Sequence, residues 1–215
     1  VAVAQDGTFS YPITFASGIQ TVSLIAQDKA QNEKSESLTI TLDNAAPVIT
    51  VTQPTESITK IASTTVAGTA QDERLASVEV DGISAVLQGQ NFRLANVSLS
   101  EGSNTLTITA NDSVGNGSTK QVSIVLDTIA PALEVQEPSN GAIVSNSTIT
   151  IRGTCNDANA FTVTVNENSI PIENGSFETQ FELVDGENTI LVAAEDTAGN
   201  KSTKSITVTL EAANE

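Results

Sequence analysis

The sequence repeats itself at a spacing of 84 residues, and this repeat limits the folds that the chain can adopt. Three segments align, GIQTVSLIAQDKAQN from Gly18, GSNTLTITANDSVGN from Gly102 and GENTILVAAEDTAGN from Gly186. The segments that follow them align as well, SLTITLDNAAP from Ser37, VSIVLDTIAP from Val122 and SITVTL from Ser205. A period of this length is too long for a solenoid or a propeller, so each copy is expected to be a small domain.

Within each copy, apolar residues alternate with Thr, Ser, Gln or Lys. In the middle copy, for example, Leu106, Ile108 and Ala110 occupy every second position. This period of two predicts strands with one buried face and one exposed face. No segment shows a sustained helical period, so the chain is predicted to be all-β. About seven short strands in a unit of roughly 80 to 100 residues predict an immunoglobulin-like β-sandwich.

We predict three domains in an extended tandem array. Residues 1–43 are the C-terminal half of an Ig-like domain, and residues 44–127 and 128–215 are complete domains. The first unit lacks the counterpart of residues 44–84. Either the sequence is a window cut from a longer array, or a second chain supplies the missing strands. We favour the window, because the third unit is not followed by the N-terminal half of another Ig-like domain. A second copy of this chain therefore has no unpaired strands with which to complete the first unit.

Two short linkers join these units. The first linker is Asp43-Asn44-Ala45-Ala46-Pro47, and the second linker is Asp127-Thr128-Ile129-Ala130-Pro131. Proline fixes its own φ and restricts the residue before it, and so few residues leave little slack. The linkers therefore predict a semi-rigid string of domains.

The composition excludes several functions. The chain carries 26 acidic and 9 basic residues, a net charge of −17, which opposes nucleic-acid binding. It has no His and one Cys, so it offers no His-activated nucleophile, internal disulfide or zinc cluster. No apolar run reaches the length of about 18 residues that a membrane helix needs. We expect a protein that is not an enzyme and does not insert into membranes.

The run NTLTITANDSVGNGSTKQVSIVLDTIAP from Asn104 resembles bacterial Ig-like repeats of large secreted and surface-anchored proteins. The run ENTILVAAEDTAGNKSTKSITVTL from Glu187 resembles them equally. The resemblance to these adhesin-type tandem arrays covers essentially the whole chain. It implies an extracellular or cell-surface location, neighbouring Ig-like repeats of a longer chain as partners, and a structural role as a stalk or spacer. It does not identify a host or surface ligand.

The motif Asp-x-x-x-Asn recurs in the loop before the last strand of each copy. In an Ig-like topology this loop meets an acidic loop and the incoming linker at one end of the domain. Several oxygen ligands without nitrogen or sulfur suit Ca²⁺, and some adhesin repeats of the resembling type are rigidified by calcium at their domain junctions. The candidate metal ligands are Asp43, Asp72, Asp112 and Asn116 at the first junction, and Asp127, Asp157, Asp196 and Asn200 at the second.

Ordinary turn chemistry is the alternative interpretation of this motif. Asp accepts hydrogen bonds from backbone N–H groups that follow it, and Gly supplies a positive φ. Gln31 stands where the other copies have Gly115 and Gly199, so the first copy departs from the pattern. The sequence is compatible with both interpretations of the motif, a turn and a calcium site.

A second functional hypothesis is a ligand- or carbohydrate-binding accessory module of an adhesin or a secreted enzyme. Sugar-binding surfaces usually carry exposed aromatic rings. Most of the six Phe residues alternate like core residues, which leaves Tyr11 as the candidate exposed ring.

Overall fold

The computed structural model describes residues 1–159 and 161–211, and within these ranges the chain forms twenty β-strands and no helix. The all-β prediction is confirmed. Of the three predicted domains, residues 212–215 of the last lie outside the described residues. No described segment is a helix long and apolar enough to cross a membrane. We call residues 1–43, 44–127 and 128–211 repeats 1, 2 and 3.

Repeat 1 contains two strands, and repeats 2 and 3 contain nine each, more than the seven expected. The strands of repeat 1 are β1 (Gly18–Gln27) and β2 (Glu33–Leu42). Those of repeat 2 are β3 (Val48–Gln53), β4 (Ile58–Thr59), β5 (Ser63–Gln71), β6 (Leu75–Val80), β7 (Ile83–Ser84), β8 (Val86–Gln88), β9 (Asn91–Ser98), β10 (Gly102–Asp112) and β11 (Gly117–Leu126). Those of repeat 3 are β12 (Ala132–Glu137), β13 (Ala142–Val144), β14 (Thr148–Asn156), β15 (Phe161–Val165), β16 (Asn168–Ile170), β17 (Ile172–Glu173), β18 (Ser176–Glu182), β19 (Gly186–Asp196) and β20 (Lys201–Leu210).

Repeats 2 and 3 share one topology of two sheets. In repeat 2 the sheet orders are β4-β11-β10-β6-β7 and β3-β5-β9-β8. In repeat 3 they are β13-β20-β19-β15-β16 and β12-β14-β18-β17. A short strand also pairs in parallel with the last strand of each repeat, β4 with β11 and β13 with β20. Repeat 1 supplies only the antiparallel pair β1-β2, the counterpart of β10 and β11.

By its internal contacts the chain divides into two compact units. The first comprises Val1–Thr50, Thr69–Phe92 and Ile108–Lys120. The second comprises Val51–Gly68, Arg93–Thr107 and Gln121–Glu215. The division passes through repeat 2, and the first linker lies inside the first unit and the second linker inside the second unit.

The core of repeat 3 forms where alternate residues of its two sheets face each other. The sequence alternation in β14 and β19 predicts this directly, because every second residue is apolar. Cys155 is a free, fully buried thiol in this core, and burial raises its pKa. Its role is therefore to fill space, like a small apolar residue. The most deeply buried members of the core are Ile151, Cys155, Val163, Ile190, Val192 and Val208.

Gly153 lies in the middle of β14, between its partner strands β12 and β18. A Cβ atom at this position would collide with the backbone oxygen of Glu134 and with the ring of Phe177. Only glycine therefore lets the Phe177 ring lie against the strand, where it is 2 % exposed.

Repeat 1 has the same alternation as the later repeats but leaves several of its apolar side chains exposed. Leu24 and Leu42 are 41 % and 38 % exposed, whereas their counterparts Ile108 and Leu126 are 0 % and 4 % exposed. Residues 1–17 form no strand, although their counterparts in repeat 2 include β9. Strand β9 pairs with β5, and residues 1–43 contain no equivalent of β5.

The matched pair Phe177 and Phe9 tests this account of the core. Phe9 stands two repeat spacings before Phe177 and is 49 % exposed. Phe177→Ala should lower the free energy of unfolding by about 3–5 kcal/mol, because it leaves a cavity in a closed core. Phe9→Ala should change it by less than about 1 kcal/mol. Thermal unfolding followed by circular dichroism measures both, and equal losses would contradict the assignment of the core.

Candidate metal centres

The structure brings six of the predicted aspartates together in two clusters of three. In each cluster, one carboxylate oxygen from every residue lies within 4.8 Å of the others. One aspartate comes from a linker, one follows β5 or β14, and one ends β10 or β19. The first cluster is Asp43, Asp72 and Asp112, and the second cluster is Asp127, Asp157 and Asp196.

The clusters are partly withdrawn from solvent. Asp112, Asp127 and Asp196 are only 5 %, 4 % and 6 % exposed, and the other three aspartates are half-buried. Like charges held this close repel one another, and burial penalises the charged form of a carboxyl group. The ionised clusters therefore need hydrogen-bond donors, cations or both.

In each complete repeat, the asparagine of the Asp-x-x-x-Asn motif is the main donor. The Asn200 backbone N–H and side-chain Nδ2 donate to Asp196 Oδ1 and Oδ2 at 2.9 and 2.8 Å. Asn116 donates to Asp112 in the same way, at 2.8 and 2.6 Å. The turn interpretation therefore describes the loop itself. The predicted metal-ligand role of the eight residues remains a prediction.

Backbone conformation explains the departure of the first copy. Gly115 and Gly199 have φ values of 102° and 86°, as the turn requires. Gln31 adopts the same left-handed region with φ 69°. The loop of repeat 1 therefore keeps its turn without glycine, and Asn32 Nδ2 still donates to Asp28 Oδ2 at 2.7 Å.

These hydrogen bonds determine the ionisation of the two buried turn aspartates. Desolvation raises the pKa of Asp196, but the hydrogen bonds from the Asn200 side chain and from backbone N–H groups outweigh it. The balance at Asp112 is the same, with Asn116 as the principal donor. Both pKa values are lower than usual, so both groups are ionised at neutral pH.

The two asparagines also attach the linkers. Nδ2 of Asn116 donates to the Asp43 carbonyl at 3.2 Å, and Nδ2 of Asn200 donates to the Asp127 carbonyl at 2.8 Å. Each amide thus bridges a carboxylate and a linker carbonyl through its N–H groups. In this geometry the Nδ2 atoms of the asparagines position loop and linker.

A second attachment follows two residues later. The hydroxyl of Ser118 donates to the Pro47 carbonyl, and the hydroxyl of Ser202 donates to the Pro131 carbonyl. Sequence reasoning missed these serines, although the repeated Asn-x-Ser pattern at Asn116 and Asn200 was a visible signal. Each linker is therefore hydrogen-bonded at both of its ends to the repeat that follows it.

The two clusters differ in one neighbouring residue that sequence reasoning also missed. Arg74 Nε lies 3.6 Å from Asp43 Oδ2 in the first cluster. Asn159 occupies the corresponding position in repeat 3, and its Nδ2 donates to Asp127 Oδ2. The first cluster therefore has a cation beside it, and the second has a neutral donor. Alignment of the residues that follow Asp72 and Asp157 would have shown this substitution.

Comparison with solved structures finds tandem Ig-like and fibronectin-like domains. Fibronectin(III)-like modules of Clostridium thermocellum CbhA match with a TM-score of 0.46 and 16 % identity, over 77 % of this chain and 95 % of that one. An I-band fragment of titin matches with a TM-score of 0.48 and 13 % identity, over 90 % and 75 % of the two chains.

Comparison of sequences gives a relative and a family. Bacillopeptidase F of Bacillus subtilis (strain 168) is 34 % identical over an alignment of 172 residues, and the match covers 76 % of this chain and 12 % of the relative. The chain thus spans only a small part of that protein. The family model described as glucodextranase, domain B, matches residues 1–44, 47–128 and 131–212. The predicted fold class, tandem Ig-like β-sandwiches, is confirmed. The chain belongs to the glucodextranase domain B family, whose model matches it three times in tandem, the first time over about half the length of the other two matches.

Proposed function

We propose that this chain is a spacer segment without enzymatic activity in an extracellular bacterial protein. Its repeats would hold other parts of that protein away from a cell surface or an enzyme core. One observation carries the proposal: both linkers are short, and both are hydrogen-bonded at the same two points to the repeat that follows. A linker fixed in this way resists bending, and a folded array of such units reaches farther than a flexible chain of equal length.

The names of the similar proteins support a role that is independent of substrate. The family is named after one domain of a glucodextranase, and the relative is named as a peptidase. A dextran and a peptide are chemically unrelated substrates. A module shared by enzymes with such different names is better explained by an accessory role than by a contribution to either reaction.

Exposed aromatic rings favour a second candidate, a carbohydrate-binding accessory module. Tyr11 is 66 % exposed, and Phe9 is 49 % exposed. Such rings can stack on the apolar face of a sugar. They lie in residues 1–17, which form no strand, so they lack the rigid platform that this mode of binding needs.

We further propose that the two aspartate clusters bind calcium. Ca²⁺ takes six to eight oxygen ligands, and each cluster offers three carboxylates whose remaining coordination water can complete. Asp43 and Asp127 belong to the linkers, whereas the other four aspartates belong to the repeats that follow. A bound ion would therefore stiffen the linkers further. The second cluster should bind more tightly, because Arg74 lies beside the first.

The spacer hypothesis predicts that the chain has no saturable carbohydrate or host ligand. Small-angle scattering should give the same profile with and without glycans or host extract, and a glycan array should show no binding that Tyr11→Ala removes. Saturable glycan binding would contradict the spacer hypothesis. If Tyr11→Ala removed this binding and the folded Phe177→Ala variant kept it, the carbohydrate-binding hypothesis would replace the spacer hypothesis.

The calcium hypothesis predicts stabilisation on addition of the metal. Free calcium at about ten times Kd should raise the free energy of unfolding by about 1.4 kcal/mol. For a domain of this size the midpoint should rise by about 5–10 °C. Arg74→Asn should tighten binding at the first cluster, and Asp157→Asn should weaken it at the second, both measured by calorimetric titration. Asp185→Asn, an exposed acid of repeat 3, is the control. Superimposable melting curves in calcium and in EDTA would exclude the metal.

The lowered pKa values predict how stability depends on pH. The folded pKa of Asp196 lies below its unfolded value of about 3.9. Its contribution should be complete above about pH 5 and should be lost as the pH falls through the folded pKa. The difference in midpoint between the native protein and Asp196→Ala, measured in EDTA, should therefore be constant from about pH 5 to 8 and shrink below about pH 4. A difference that persists at lower pH would show that ionisation of Asp196 is not its source.

A further inference from the structure

We propose that Asp127 and Thr128 form a lock between repeats 2 and 3 that needs no cation. In this linker lock, groups of the preceding repeat and groups of the following repeat hold the same two residues. All of its contacts but one stand apart from the calcium hypothesis, and its mechanical role rests on the proposed spacer function. All residues of the lock lie within one compact unit of the chain.

The preceding repeat holds both backbone N–H groups of the lock. The Asp127 N–H donates to the Thr59 carbonyl at 2.9 Å, which continues the parallel pairing of β4 with β11 beyond Leu126. The Thr128 N–H and hydroxyl donate to the two carboxylate oxygens of Glu101 at 3.1 and 2.8 Å. Repeat 2 thus extends past the end of its last strand and into the linker.

The following repeat holds the other groups of Asp127. Its carbonyl accepts from Asn200 Nδ2 at 2.8 Å, and its carboxylate accepts from Asn159 Nδ2. The N–H of Asp127 is therefore bonded to the preceding repeat, and its C=O is bonded to the following repeat. Rotation about either backbone dihedral of Asp127 would break one of the two sets, so the position at which the linker would bend is blocked.

A direct bridge accompanies the lock. Lys60, which follows β4, donates from Nζ to the Gly199 carbonyl at 2.6 Å. Gly199 lies in the turn that ends at Asn200. Thr59, which accepts from Asp127, precedes Lys60 in the chain. Gly199 precedes Asn200, which donates to Asp127. The contacts therefore form a closed ring of hydrogen bonds.

Most of these bonds do not involve the aspartate cluster. The acceptors are backbone carbonyls and the carboxylate of Glu101, which is not a member of either cluster. Only the bond from Asn159 uses a carboxylate oxygen of Asp127, to which a cation would also bind. Chelation of calcium should therefore leave the lock closed.

Amide hydrogen exchange of the isotopically labelled chain in EDTA tests the lock. The Asp127 and Thr128 amides should exchange at least about tenfold more slowly than the Asn44 amide, after correction for intrinsic rates. Asn44 is the matched control, because it holds the position of Thr128 in the first linker and residues 1–43 contain no counterpart of Thr59. Glu101→Ala should accelerate exchange at Thr128 about tenfold.

Two further variants make the test specific. Glu101→Gln keeps one acceptor oxygen and should give an intermediate rate, whereas Asp185→Ala, at the position of Glu101 in repeat 3, should leave Thr128 unchanged. Far-ultraviolet circular dichroism verifies that each variant is folded. Thr128 exchange as fast as that of Asn44, or protection that appears only with calcium, would overturn the lock. Saturable glycan binding would instead overturn the spacer function and leave the exchange rates as they are.

Discussion

One side-chain pair, an aspartate at the end of a strand and an asparagine four residues later, connects the interior of each complete repeat to its linker. In repeat 3, Asp196 ends β19 and Asn200 precedes β20, and these two strands supply much of the buried core. The same Asn200 amide reaches the carbonyl of Asp127. The turn that sets the pairing of β19 with β20 therefore also determines where the chain enters the repeat. The position of the linker follows from the fold.

The aspartate clusters illustrate how hydrogen bonds replace a counter-ion. Three carboxylates within 4.8 Å of one another would be expected to favour protonation. The pKa values of Asp112 and Asp196 are nevertheless lower than usual, because the asparagine amide and several backbone N–H groups donate to each. The loops therefore hold charged oxygens in place before any cation arrives. In the proposed calcium-bound state, the ion would meet a site that is already arranged.

The sequence predicted the features that depend on local pattern and on the repeat. Alternation predicted the strands, and the Ig-like topology predicted that Asp43 and Asp127 would approach the acidic loops. It did not predict Arg74, Asn159 or Lys60, because their partners are distant in sequence and are chosen by how loops meet in three dimensions. Phe9 shows that the alternation of apolar residues does not by itself predict burial. Its position matches that of the buried Phe177, but a period of two says only which face a residue occupies, and burial also requires a second sheet over that face.

The two interactions proposed at the second linker act mostly on different atoms of one residue. Calcium would bind the carboxylate of Asp127, which in the linker lock accepts from Asn159, whereas the other bonds of the lock to Asp127 use its backbone N–H and carbonyl. A cation would restrain the side chain and raise the cost of separating the linker from repeat 3. It would add nothing to the bonds from Asp127 and Thr128 back to Thr59 and Glu101. If the proposed calcium binds, attachment to the preceding repeat would thus be independent of it, and only attachment to the following repeat would respond to it.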